Sequence, residues 1–397
     1  MNKNAGMRHY LDWASTAIPE NIFPINEAKD GYHPYRNPQG FPFANPSSSH
    51  TEGQAARDAL ESARSRCARV LAVEPEKLYF TSGGTESNAL VLHSCLLRKE
   101  RHRLLYSAVE HPSIVENCRV LECLGLPVSP IDVEKDGRVS AKTLCRALEK
   151  HPDSRFAAIM GVNNETGSIM DIGGLIYAAR SSQAKNGFNI HFHCDLVQAL
   201  GKSHVNIGDM DSASFSAHKL GGMRGIGLLY LKKKLKGLYT GGSQEGGVRP
   251  GTENTLGALS LAEILEQWAK PETVRQENGK AKERFKYLIG ELRRIKRCAF
   301  IPEDREDDDP RFSPWIIQVR FREVPGPVMV RALDKEGVAV STGSACSSNS
   351  SERPVLSAMG VDEKARLEGI RVSQGWSTGM ADLDALLAGI KKALSFL

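Results

Sequence analysis

Seven short apolar runs recur between about residues 50 and 260, at positions 78–80, 103–107, 127–131, 156–160, 190–193, 212–215 and 226–230, and helical stretches separate them. Helices of ten or more residues between strands imply crossover connections and a mainly parallel sheet, covered by helices on both faces. The expected fold class is therefore α/β, with a mainly parallel seven-stranded sheet as its centre. Ligands of such sheets bind beyond the carboxyl ends of the strands, in the loops that lead into the helices. With 397 residues, the chain also exceeds the roughly 250 to 300 that one hydrophobic core supports. Two domains are expected, a large one over residues 17–262 and a smaller α+β one built from residues 1–16 and 263–397. The smaller unit holds an apolar run at 315–319, a helix near 328–335, a run at 369–373 and a terminal helix from Met380. The amphipathic stretch 259–297 is expected to link the two, and Pro302-Glu-Asp-Arg-Glu-Asp-Asp-Asp-Pro310 reads as a solvated surface loop.

A net charge of +5, with Lys and Arg interspersed among Asp and Glu, gives no support to nucleic-acid binding. No segment approaches the ~20 apolar residues of a membrane span. Residues 1–8 lack the apolar core of a secretory signal, so the expected location is cytoplasmic. Eight cysteines are spread singly, without the C-x-x-C pair of a structural zinc site, so no metal centre is expected. Most are expected to be buried small hydrophobes.

Four motifs fall where a ligand of such a sheet would bind. Thr81-Ser-Gly-Gly-Thr-Glu-Ser-Asn88 lies between a strand and a helix. Its small residues, among them Gly84, let backbone N–H groups approach an anion, and Thr85 adds a hydroxyl. An ordinary capped turn reads equally well when the motif stands alone. Phe215-Ser-Ala-His-Lys219 follows another strand and mounts a lysine among small and polar residues. That setting suits an amine that forms a Schiff base, with Ser216 and His218 beside it to hold a phosphate. His193-Cys-Asp-Leu-Val-Gln198 ends a strand with Asp195, an acid suited to keeping a pyridinium nitrogen protonated or, equally, to capping a helix. Ser341-Thr-Gly-Ser-Ala-Cys-Ser-Ser-Asn349 places Cys346 in a small polar run where a thiolate is expected to be available.

Taken together, these pieces resemble the cysteine desulfurases, fold-type I pyridoxal-phosphate enzymes, in the branch that serves nitrogen fixation and iron–sulfur cluster assembly. The resemblance extends through Tyr10-Leu-Asp-Trp-Ala-Ser-Thr16, Asn45-Pro-Ser-Ser-Ser-His50, Val109-Glu-His111, Val162-Asn-Asn-Glu-Thr-Gly167, Arg249-Pro-Gly-Thr-Glu-Asn254 and Ile370-Arg-Val-Ser373. It implies pyridoxal 5'-phosphate as cofactor and L-cysteine as substrate, with Lys219 as the Schiff-base lysine and Asp195 on the pyridine nitrogen. By the same resemblance Gln198 meets the phenolic oxygen and His111 stacks on the ring and serves proton transfer. Gly84, Thr85, Ser216 and His218 hold the phosphate, joined by Thr252 from the second subunit of a homodimer. Asn164 and Arg371 grip the substrate carboxylate, and Cys346 takes the sulfur as a persulfide for a sulfur-acceptor protein.

The chain departs from the family pattern at Ser373-Gln-Gly-Trp376 and at Gln244-Glu-Gly-Gly247. Two other readings stay open. A related lyase or aminotransferase, such as a selenocysteine lyase, needs Lys219 and Asp195 but no thiol at 346. A relay subunit would keep the fold and bind a partner without turnover.

Overall fold

The computed structural model describes residues 8–20, 42–184, 189–203, 205–343 and 353–397. Its strands are β1 (His9–Tyr10), β2 (Leu78–Thr81), β3 (Arg103–Ser107), β4 (Val128–Ile131), β5 (Ser154–Ala158), β6 (His191–Asp195), β7 (Ser212–Ser216), β8 (Gly227–Leu231), β9 (Cys298–Ile301), β10 (Ile316–Phe321), β11 (Val338–Ala339) and β12 (Gly369–Ser373). Among the described residues, seven of them form one sheet in the order β2-β8-β7-β6-β5-β3-β4, and only β8 opposes the common direction. All seven expected runs are strands of this sheet. The run expected at 156–160 starts two residues earlier, at Ser154, and ends at Ala158.

Alternation along each strand sends neighbouring side chains to opposite faces. Leu105, Ala157, Leu228 and Tyr230 join one core with helices α1 (Thr51–Leu71) and α6 (Thr255–Trp268). Leu104, Phe156, Ala158, Leu229 and Leu231 join another with α2 (Gly84–His93) and α3 (Pro112–Cys123). Both faces are therefore covered, as a parallel sheet requires. A further cluster, including Leu11, Phe285, Ile317, Val372 and Leu386, fills the space between the antiparallel sheet β12-β10-β9 and helices α7 (Pro271–Arg293), α8 (Gly326–Lys335) and α11 (Met380–Phe396).

The stretch expected as one amphipathic segment over 259–297 is two helices, α6 and α7. Pro271 stands at the first turn of α7, where its missing N–H costs nothing, and it cannot extend the helix before it. The acidic run 302–310 is a loop, but not a wholly solvated one. Arg305 is buried and donates to the carbonyls of Thr166 (3.0 Å), Ser313 (3.3 Å) and Ile316 (3.0 Å). A guanidinium with several donors suits a place where three carbonyl groups need partners.

Candidate active site

The carboxyl ends of β5, β6 and β7 open on a cavity of about 520 Å³. Asp195 is the last residue of β6, Lys219 lies in the turn after β7, and His111 caps α3 ahead of Pro112. Gly84 opens α2, and Arg371 enters from the centre of β12. Thr85, Asn164, Gln198, Ser216 and His218 also line the space. The sheet thus brings together every expected cofactor-contacting residue except Thr252, which is exposed on the turn before α6 and does not line this cavity. Cys346 lies outside the described residues. The strand-like residue Ser341, just before it in the chain, exchanges backbone hydrogen bonds with Arg371 at 3.3 and 2.6 Å.

Lys219 Nζ donates to the carbonyls of Ala14 (2.7 Å) and Ser15 (2.6 Å). Gln198 Nε2 donates to Ala14 O at 2.8 Å, while its Oε1 is buried with no hydrogen-bond partner among the described residues. Asp195 accepts from Val197 N (3.0 Å) and from Asn88 Nδ2 (2.8 Å). Arg371 donates to Asn164 O (2.8 Å), Asp12 Oδ1 (2.7 Å) and Ser15 Oγ (2.7 Å), and its Nε is buried without an acceptor among the described residues. At Gly84 a Cβ would come within 2.6 Å of Val197 Cγ2, so only glycine lets α2 start this close to the turn after β6. Burial lowers the His111 pKa, and the Lys219 charge lowers it further against the pull of Asp195. His218 is pushed down to about 4 by burial and by the positive charges of Lys219, Arg224 and Lys202, and its Nδ1 lies 3.1 Å from Thr16 Oγ1.

Sequence reasoning missed Asp12, Ser15, Asn88, Ser113 and Arg224. Three of them, Asp12, Ser15 and Asn88, lie inside stretches quoted above. What gives them a place is a contact across the fold, which no local pattern carries.

The model of the family described as aminotransferase class-V matches residues 10–386. The chain is 34% identical to the cysteine desulfurase IscS of Dictyoglomus turgidum, over 97% of this chain and 94% of that protein. Among solved structures, a NifS-like protein superposes with a TM-score of 0.85 at 27% identity, over 98% of this chain and all of that one. The structure of SspA in complex with cysteine gives a TM-score of 0.73 at 27% identity, covering 92% of this chain and 98% of that one. The chain belongs to the class-V aminotransferases, within the cysteine desulfurases, and pyridoxal 5'-phosphate is the cofactor of this family.

The cavity fits that group. The buried, unpartnered Oε1 of Gln198 is a polar atom left for a ligand to satisfy. The N-terminus of the ten-residue helix α2, with Thr85, Ser216, His218 and Arg224 around it, offers the donors a phosphate needs.

Proposed function

We propose that this chain is a cysteine desulfurase that converts L-cysteine to L-alanine and passes the sulfur, as a persulfide on Cys346, to an acceptor protein. The observation that carries the reading is the single cavity in which Lys219, Asp195, His111 and Arg371 converge at the strand ends. When bound, pyridoxal 5'-phosphate supplies an electron sink for a carbanion at the substrate Cα. Lys219 would hold the cofactor and move the Cα proton, and Asp195 would serve the pyridine nitrogen. Gln198 would serve the phenolic oxygen and His111 the ring face. Gly84, Thr85, Ser216 and His218 would hold the phosphate. Arg371 and Asn164 take the substrate carboxylate, for which a guanidinium offers parallel donors.

The Cys346 thiolate attacks the substrate sulfur. The Cβ–S bond breaks, the new S–S bond forms, and the carbon fragment leaves as alanine once protonated. Lys219, the donor already aimed into the site, is the source of that proton.

Thr252 is exposed and away from this chain's cavity, which supports its assignment to the site of a second copy in a homodimer. The similarity to proteins named IscS supports iron–sulfur cluster assembly as one destination of the sulfur. No described helix is long and apolar enough to cross a membrane, and we read the protein as cytoplasmic. We also read residues 17–262 as the large domain, and residues 1–16 with 263–397 as the small one, since separate hydrophobic clusters dominate the two parts.

The test is alanine and sulfide release from L-cysteine by the purified holoprotein with a reductant. Wild type is expected to release both in equal amounts, while Lys219→Ala and Cys346→Ser release neither. Full activity in Cys346→Ser would transfer the assignment to a lyase or aminotransferase.

A further inference from the structure

His191, His193 and Asp195 alternate along β6 and so share one face of the sheet, and α2 crosses that face with Asn88 fully buried against it. Asn88 Nδ2 lies 2.8 Å from Asp195 Oδ2 and 2.9 Å from Ser113 Oγ, and Ser113 Oγ lies 2.9 Å from His111 Nδ1. On the other side Asn88 Oδ1 lies 3.0 Å from His193 Nε2. His193 Nδ1 and His191 Nε2 each lie 2.8 Å from Ser212 Oγ.

We propose that Asn88 is a positioning residue for this active site, whose amide joins Asp195 to His111 through Ser113 and fixes which atoms those two groups turn toward the cavity. The inference rests on the assignment of Asp195 and His111 to the cofactor made above.

The direction of every bond follows from one constraint. A carboxylate only accepts, so the Asn88 atom facing Asp195 is the NH2 group, and the atom facing His193 is the carbonyl oxygen. His193 Nε2 therefore carries a proton. Burial pushes His193 down to about 3 and His191 to about 4, so both rings are neutral with one N–H each. His193 Nδ1 must then accept from the Ser212 hydroxyl, whose oxygen accepts from His191 Nε2.

In the other direction, Ser113 Oγ accepts from Asn88 and has a single proton left to give. It goes to His111 Nδ1, which also receives the backbone N–H of Ser113 at 3.1 Å. With Nδ1 accepting twice, a neutral His111 holds its proton on Nε2, the atom free to face the cavity. Asp195 keeps one fixed donor on each oxygen, Val197 N and Asn88 Nδ2. The other ionisable groups around this network are Lys219, whose charge bears on His111, the buried Glu110, which feels the charge of Asp195, and at the His191 end Asp211 and Arg98.

Asn88→Asp keeps the shape but replaces the donors with a carboxylate against Asp195, and like charges at this distance raise the pKa of the pair. In the holoprotein the pH midpoint of the bound cofactor's visible absorbance is expected to move by about one unit or more. The kcat for L-cysteine should fall on the order of tenfold, with KM little changed. Ser113→Ala spares Asp195, so it should leave the absorbance titration in place and alter only the pH profile of kcat, and Ser113→Thr should restore that profile. An Asn88→Asp protein that titrates and turns over like wild type overturns the proposal. So does a Ser113→Ala protein whose pH profile matches that of Ser113→Thr, and this pair carries the test should the Asn88 variant fail to fold. A wild-type protein with no visible cofactor absorbance would instead sink the functional reading beneath it.

Discussion

Glu110 sits one residue before His111 with its carboxyl group buried. Its Oε1 accepts from Ser107 Oγ at 2.5 Å and from Met160 N at 2.7 Å, while Oε2 has no donor among the described residues. Burial pushes its pKa up to about 8, and the charge of Asp195 adds to the effect. The fold therefore keeps this proton where the unfolded chain, with an ordinary value of 4.5, has released it. The folded-state value is the raised one, so this group's contribution is full below the unfolded value and is lost as pH rises toward 8. The slope is at most about 1.4 kcal/mol per pH unit. Glu110→Gln carries no such proton. Its thermal midpoint should gain on wild type steadily between pH 5 and 8, and parallel curves over that range would refute the argument. The residue appears in the Val109-Glu-His111 stretch, but nothing in the sequence shows that its carboxyl is buried. That follows from the chain just after β5 passing close enough for Met160 N to donate to it.

At the scale of elements, the turn after β5 meets both ends of the segment 344–352, which lies outside the described residues. Glu165 is buried in that turn, beside Asn164, and Arg353 Nη2 stands 3.3 Å from its Oε2. Arg353 also donates to the carbonyls of Thr342, Arg366 and Gly369. At Gly343 φ is +149°, and a Cβ would come within 2.6 Å of Glu165 Oε2, so the chain needs glycine there to pass the ion pair. Arg353→Met strands a buried carboxylate and should cost on the order of 3–5 kcal/mol, whereas adding Glu165→Gln should recover much of it. Urea midpoints of the two single variants and the double measure this, and strict additivity would show that the pair is not coupled. The pair is 188 residues apart in sequence, which is why no local signal announces it. The strands of the large sheet were legible because apolar runs act within a few residues, whereas the helix break at Pro271 was passed over within one amphipathic stretch. Residues that line the cavity were picked out by single motifs and by the family resemblance, and their partners across the fold were not.

Across the whole molecule, the departure at Gln374-Gly375-Trp376 acquires a physical reason. Trp376 lies with its ring centroid 4.7 Å from Trp268, 5.7 Å from Trp13 and 5.8 Å from Trp315. These are all four tryptophans of the chain. Gly375 leaves the room, since a Cβ there would fall 1.9 Å from the Trp13 ring, and Gln374 Nε2 donates to Ala281 O and Pro314 O. None of these three residues lines the cavity, so the change bears on how the parts of the molecule join. Trp268 ends α6 beside the large sheet, while Trp315 and Trp376 adjoin β10 and β12. Residues 8–20 cross between them. Leu11 O accepts from Ser373 N at one end, and Ala17 N and Glu20 N donate to His218 O and Gly221 O at the other. Unfolding either part pulls this strap from the other. Tryptophan emission and far-UV circular dichroism of the wild type should therefore lose their signals at the same urea concentration, as one cooperative transition requires. Trp376→Ala removes the ring at the centre of the cluster, at a cost of about 3–5 kcal/mol. In that variant the emission of the remaining three tryptophans should change before the dichroism does, because the junction opens while each core still holds. Coincident curves in Trp376→Ala would mean that the strap and the buried arginines, not the tryptophan cluster, hold the two parts together.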